Sequence, residues 1–126
     1  MPETKQVRVL LADDSEVMRK AIARLLDASP DVSLVGQADE FHEAVQLVNE
    51  LQPDIVILDL RMTAAVDADD QGLRQLCGCR TIAISASLDA EVLQLANRLN
   101  ADAFLDKMKL YDELIPTIQR LGKTAD

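Results

Sequence analysis

Five short runs rich in Val, Ile, Leu and Ala alternate along this chain with longer segments whose apolar residues recur at helical spacing. That alternation admits few folds. A chain that returns to a strand after each helix has to cross over its own sheet, and parallel crossovers of this kind are right-handed almost without exception. The strand runs are Val7 to Ala12, Ser33 to Gln37, Ile55 to Leu58, Thr81 to Ile84 and Ala103 to Leu105. No polar residue interrupts Ile55-Val56-Ile57-Leu58, which predicts a strand buried on both faces.

The intervening segments predict five helices. The first, Val17 to Ala28, places Val17, Ala21, Ile22, Leu25 and Leu26 on one stripe and stops before Pro30; the second, Phe41 to Leu51, ends before Pro53. Gln71 to Leu76 has only Leu73 and Leu76 as apolar anchors and follows a long loop. Ala90 to Leu99 opens after Asp89, a cap residue, and is expected to bury Val92, Leu93, Ala96 and Leu99. In the last, Tyr111 to Leu121, Pro116 predicts a late start or a bend, because proline cannot donate a helical hydrogen bond. The expected architecture is α/β: a five-stranded parallel doubly wound sheet of flavodoxin-like order, (β/α)5, with helices on both faces.

With 126 residues, residues 1–126 are expected to form one domain around one core. A net charge of −9, with the 13 Lys and Arg spread out, argues against direct nucleic-acid binding. The polar start, Met1 to Arg8, and the lack of any apolar run near 18 residues predict a cytoplasmic protein that does not enter membranes. Cys77 and Cys79 flank Gly78, too tight for a zinc pattern, and are read as reduced thiols; His42 is read as a surface residue.

Polar residues stand at or beside the ends of four of the apolar runs: Asp13 and Asp14, Asp59, Ser85, and Lys107. An acidic pair after a strand is weak evidence alone, since such residues often cap helices. A parallel sheet, however, gathers all five at its carboxyl edge, where open α/β folds place their sites. Two carboxylates about 5 Å apart repel by roughly 3 kcal/mol at an effective dielectric near 20. Asp13, Asp14 and Asp59 therefore call for compensation, which a divalent cation and the Lys107 ammonium would supply.

Asp13-Asp14, Asp59, Ser85 in Ile84-Ser85-Ala86-Ser87, and Lys107 in Ala103-Phe104-Leu105-Asp106-Lys107 resemble the site of a CheY-like response-regulator receiver domain. Arg24-Leu25-Leu26, Val35-Gly36-Gln37-Ala38 and Gln52-Pro53-Asp54-Ile55-Val56-Ile57-Leu58-Asp59-Leu60 are most similar to receivers of NarL/LuxR-type transcription factors. The resemblance implies that Asp59 accepts a phosphoryl group from a sensor histidine kinase or phosphotransfer protein. It implies Mg2+ held by Asp14, Asp59 and the backbone carbonyl of Arg61, with Asp13 acting through water. Lys107 and Ser85 would stabilise the phosphoryl oxygens, and Ser85 with Phe104 would form a switch. The switch would reshape the face made by the fourth helix, fifth strand and fifth helix, a possible homodimer or partner surface. No turnover of a separate substrate is expected.

Two departures stand out. Thr63 replaces the family's Pro after Asp59-Leu60-Arg61-Met62, and Gly72 comes late, after Asp67, Asp69 and Asp70. The stretch Thr63 to Gln71 is expected to bury little and to be mobile. Met108 replaces the Pro that follows the lysine, so Lys107-Met108 is expected to be trans. These departures motivate an alternative, a receiver-like protein-binding module that is not phosphorylated. A haloacid-dehalogenase-type phosphatase is disfavoured by Arg61, which stands where its second catalytic Asp belongs. A flavodoxin is disfavoured by the absence of Trp and by the single Tyr and two Phe.

Overall fold

A computed structural model describes residues 6–67, 70–76, 78–87 and 89–123. Five parallel strands, β1 (Val7–Ala12), β2 (Val32–Ala38), β3 (Ile55–Asp59), β4 (Arg80–Ser85) and β5 (Ala103–Asp106), form one sheet in the order β2-β1-β3-β4-β5. The helices are α1 (Glu16–Asp27), α2 (Phe41–Leu51), α3 (Gln71–Leu76), α4 (Ala90–Leu99) and α5 (Leu110–Lys123). This is the doubly wound order expected. Its strand sequence reverses between β1 and β3, which opens a crevice at their carboxyl ends.

Alternation along β3 splits the core in two. Val56 and Leu58 point into a cluster with Phe41, Ala44, Val45 and Val48 of α2, Leu73 and Leu76 of α3, and Ala96 and Leu99 of α4. Ile55 and Ile57 point into the other, with Ile22 and Leu26 of α1 and Leu110, Leu114, Ile118 and Leu121 of α5. All five β3 residues are buried, as the unbroken apolar run required. Each fully buried Leu or Ile contributes about 1.5–3 kcal/mol, so the middle strand is the best-anchored part of the sheet.

Local chemistry sets the helix ends. The side chains of Ser15, Glu40 and Asp89 accept the first free N–H groups of α1, α2 and α4, and Asp89 does so from Val92 at 3.0 Å. Gln52 and Asn100 close α2 and α4 in the left-handed conformation, at φ 49° and 58°. Gly72 permits close packing of α3 on α2, for a Cβ there would lie 2.9 Å from both Phe41 and Val45 side-chain atoms.

Three helical expectations need correction. Val17 and Ala21 are exposed, Val17 at 80%, and the buried stripe of α1 runs instead through Ile22 and Leu26 with Met18 and Leu25 beside it. Leu93 is 46% exposed, so α4 buries Ala96 and Leu99 and only partly Val92. Of the two outcomes expected at Pro116, a late start or a bend, the late start does not occur: the last helix begins at Leu110 with Pro116 inside it. Leu110, Leu114, Ile118 and Leu121 all pack in the core, and that burial outweighs the donor that Pro116 cannot give to the Asp112 carbonyl.

Candidate functional site

The crevice is built from strand ends. β1 delivers Asp13, whose N–H donates to the Ala38 carbonyl at 3.1 Å and whose Oδ1 accepts the Ser15 N–H at 2.8 Å. Arg19 of α1 donates to the Asp13 carbonyl at 2.6 Å, clamping the turn from the other side. β3 delivers Asp59, whose Oδ1 accepts the Arg61 N–H at 3.0 Å and so starts a 3-10 turn, Leu60–Thr63. Asp13 and Asp59 are wholly buried, whereas Asp14 is exposed.

Between the two buried carboxylates stands Lys107, which follows β5. Its Nζ lies 2.8 Å from Asp13 Oδ2 and 3.2 Å from Asp59 Oδ2, with only 10% of the side chain exposed. The Asp59 contact is a hydrogen bond; the Asp13 contact is an ion pair outside hydrogen-bond geometry. Burial pushes the Asp59 carboxyl above its ordinary 3.8. The Arg61 N–H and the Lys107 charge oppose that rise, and the Asp13 charge adds to it. Burial works against the Lys107 ammonium too, but Asp13 and Asp59 outweigh it and hold the group above its ordinary 10.5.

One cation does not balance three carboxylates. Carboxylate oxygens of Asp13, Asp14 and Asp59 lie within 4.8 Å of one another, and among the described residues buried Asp13 Oδ2 has the Lys107 ammonium beside it but no donor in hydrogen-bond geometry. An all-oxygen cluster with an orphaned acceptor is a donor set that suits a hard divalent cation. The Arg61 carbonyl, expected as a further ligand, accepts the Ala64 N–H at 3.3 Å; a carbonyl oxygen has a second lone pair.

Ser85 ends β4, one strand from Asp59, and is 1% exposed; its Oγ accepts the Ser87 N–H at 3.2 Å. Phe104, paired with Ala83 in the β4–β5 ladder, is half-buried against the cluster that contains α4. Lys107-Met108 is trans, since no described peptide bond is cis. Met108 also keeps an N–H that proline would lack, and it donates to Asp106 Oδ1 at 2.9 Å within a 3-10 turn, Lys107–Lys109.

Of the stretch Thr63 to Gln71, Ala64, Ala65, Asp67 and Gln71 are exposed, as expected of a loop with little to bury, and Thr63 itself is the exception. Thr63 is 1% exposed, its hydroxyl donates to the Leu60 carbonyl at 2.8 Å, and Val66 packs partly against the core. Asp70 anchors the far end, accepting the Gly72 N–H at 2.7 Å and facing His42 Nε2 at 3.3 Å; Ala68 and Asp69 lie outside the described residues. His42 is exposed as expected, Cys79 is a free thiol, and Cys77 lies outside the described residues. The sequence reading passed over Arg19 and Arg98. Both act through backbone carbonyls, which leave no trace in residue spacing.

Residues 9–119 match the family model of the response regulator receiver domain. The chain belongs to that family. It is 31% identical over 119 residues to the transcriptional regulatory protein LiaR of Bacillus subtilis, covering 93% of this chain and 56% of LiaR. It is 25% identical over 122 residues to the nitrate/nitrite response regulator NarL of Escherichia coli K12, covering 95% and 56%. The chain thus spans little more than half the length of these relatives. Among solved structures, the response regulator domain of Thermotoga maritima CheB aligns with a TM-score of 0.79 at 26% identity, covering 94% of this chain and 98% of that one. The NarL signal receiver domain of Mycobacterium tuberculosis gives 0.72 at 27%, covering 91% and 98%. No helix among the described residues is long and apolar enough to cross a membrane.

Proposed function

We propose that this chain, residues 1–126, is a single phosphorylatable receiver that takes a phosphoryl group on Asp59 from a sensor histidine kinase or a phosphotransfer protein. The observation that carries the reading is one ammonium, Lys107, shared by two buried carboxylates beside a third. An Asp59 oxygen attacks phosphorus, the phosphorus–nitrogen bond to the donor imidazole breaks, and the nitrogen keeps the electron pair. Asp14, Asp59 and the Arg61 carbonyl would hold Mg2+, with Asp13 reached through water; bound there, the ion supplies charge neutralisation on the transferred oxygens. Lys107 steadies one phosphoryl oxygen, and the Ser85 hydroxyl, released from the Ser87 N–H, donates to another.

Withdrawal of Ser85 toward phosphate frees space for Phe104, and the face of α4, β5 and α5 changes with it. That face is where a partner or a second copy would dock. The chain works in the cytoplasm as a switch rather than a turnover enzyme and leaves nucleic acid to other partners. Intact mass after incubation with Mg2+ and acetyl phosphate tests the reading: one added phosphoryl group is expected, and none on Asp59→Asn. An unmodified wild-type mass, under conditions that modify a known receiver, favours the protein-binding module.

A further inference from the structure

We propose that Arg98 is a positioning residue for the cation pocket, acting through the 3-10 turn that carries the Arg61 carbonyl; this rests on the reading of Asp13, Asp14 and Asp59 as a metal site. Arg98 lies in the last turn of α4, where a basic side chain ordinarily turns toward its own helix's free carbonyls. Here its Nη2 instead reaches across to the Thr63 carbonyl at 2.6 Å, 35 residues away in sequence. The Nε is buried with no hydrogen-bond partner among the described residues. The half-buried guanidinium is thus anchored, among the described residues, by its bond to the Thr63 carbonyl.

That bond closes the turn beside the site. Asp59 Oδ1 fixes the second N–H of the turn, at Arg61; the Thr63 hydroxyl ties back to the Leu60 carbonyl; and Arg98 holds the last carbonyl, at Thr63. Arg61 sits between these ties. In related receivers a proline ring is expected at the Thr63 position and restricts the backbone by itself. A threonine lacks that ring; its hydroxyl and the Val66 N–H, which donates to the same Thr63 carbonyl at 3.1 Å, hold the turn from within, and Arg98 adds the tie from outside it. The contact also joins α4 to the residues that follow Asp59, so a change in the turn's position is felt directly by the helix.

The full chain is titrated with Mg2+ alone by isothermal calorimetry, for wild type, Arg98→Met and Arg98→Lys, alongside urea midpoints without Mg2+. Methionine keeps the packed stem and removes the donors; lysine keeps the charge and one reachable donor. Loss of a group bonded directly to a ligand typically weakens a metal site by tenfold or more; Arg98 acts one step further out, through Thr63, so Arg98→Met is expected to raise the Mg2+ Kd about fivefold, and Arg98→Lys to recover much of that loss. The sign is diagnostic. Removing a positive charge near a cation site would by itself tighten binding, so weaker binding points to geometry. A role confined to fold stability would lower the urea midpoint and leave the Kd of the folded protein unchanged. A Kd for Arg98→Met within about twofold of wild type overturns the proposal; should that variant not fold, Arg98→Gln is held to the same threshold. Wild type that gives no Mg2+ heat overturns the metal-site reading itself, and the inference with it.

Discussion

The two edges of the sheet use aspartate in opposite ways. At the amino edge, Asp54 and Asp102 each stand one residue before a strand and stitch it to a neighbour. Asp54 accepts the Arg8 N–H at 2.9 Å and returns its own N–H to the Arg8 carbonyl at 2.9 Å; Asp102 does the same with Thr81 at 2.8 and 2.8 Å. Both keep some contact with solvent, beside an open polar hollow lined also by Pro53 and Cys79. At the carboxyl edge, Asp13 and Asp59 are fully buried and crowd one lysine, and among the described residues Asp13 Oδ2 has no donor in hydrogen-bond geometry. One residue type can therefore be a satisfied stitch or an unsatisfied site. The difference lies in what the fold sets beside the carboxylate: a neighbouring strand's N–H at one edge, other carboxylates and one shared lysine at the other.

The largest expected effect separates the edges at once. Lys107→Met leaves two buried carboxylates uncompensated and should cost about 3 kcal/mol of stability at neutral pH without Mg2+, with part of that loss restored by adding the ion. Urea unfolding with and without Mg2+ measures both. Because Lys107 is held above its ordinary 10.5, its contribution is complete below that pH and is lost as pH rises through the higher folded value.

Asp59→Asn should move stability the other way. Burial raises the folded pKa of Asp59 above 3.8, so the ionised carboxylate is a burden at neutral pH. That burden lifts as pH falls through the folded value toward the unfolded one. The variant is expected to be more stable than wild type at pH 7 by about 1 kcal/mol, roughly 4 °C in Tm for a domain of this size. The gap should close on acidification. Thermal unfolding across pH checks it, and a variant less stable than wild type at pH 7 would contradict the crowding argument.

Asp102→Ala probes the stitched edge. Removing an acceptor from the N–H of buried Thr81 should lower stability by about 1 kcal/mol and leave the Mg2+ Kd unchanged. An altered Kd there would mean that the two edges are coupled through β4 and β5. The smallest effect is expected at His42→Ala, which removes an exposed contact with Asp70 and should shift the urea midpoint by no more than about 0.5 kcal/mol.

The same contrast explains what the sequence made legible. Ile55 to Leu58 announced a central strand because no other environment tolerates so unbroken an apolar run, and the polar residues at its end and at its neighbours' ends followed from parallel topology. Helical faces were less legible where apolar residues exceeded what the core could take. Val17 and Leu93 fit a helical stripe by spacing yet point outward, since α1 and α4 each meet the sheet along a narrower line. Pro116 was weighed by its local cost alone, while the burial of Leu110 and Leu114 on either turn decided where α5 begins. Thr63 stood out by its place after Asp59, but Arg98 was illegible for a different reason: a side chain bonded to a distant backbone oxygen leaves no periodicity.

The position of β3 has a consequence in time as well as in space. With β1 on one side, β4 on the other and both faces covered, its amides can exchange with solvent only when the sheet itself opens, at the slow end of the molecule's range of openings. Asp59 rides on that strand. The backbone that carries this carboxylate is thus among the last to open, and whatever rearranges on faster clocks has to be found in the side chains and turns that face it.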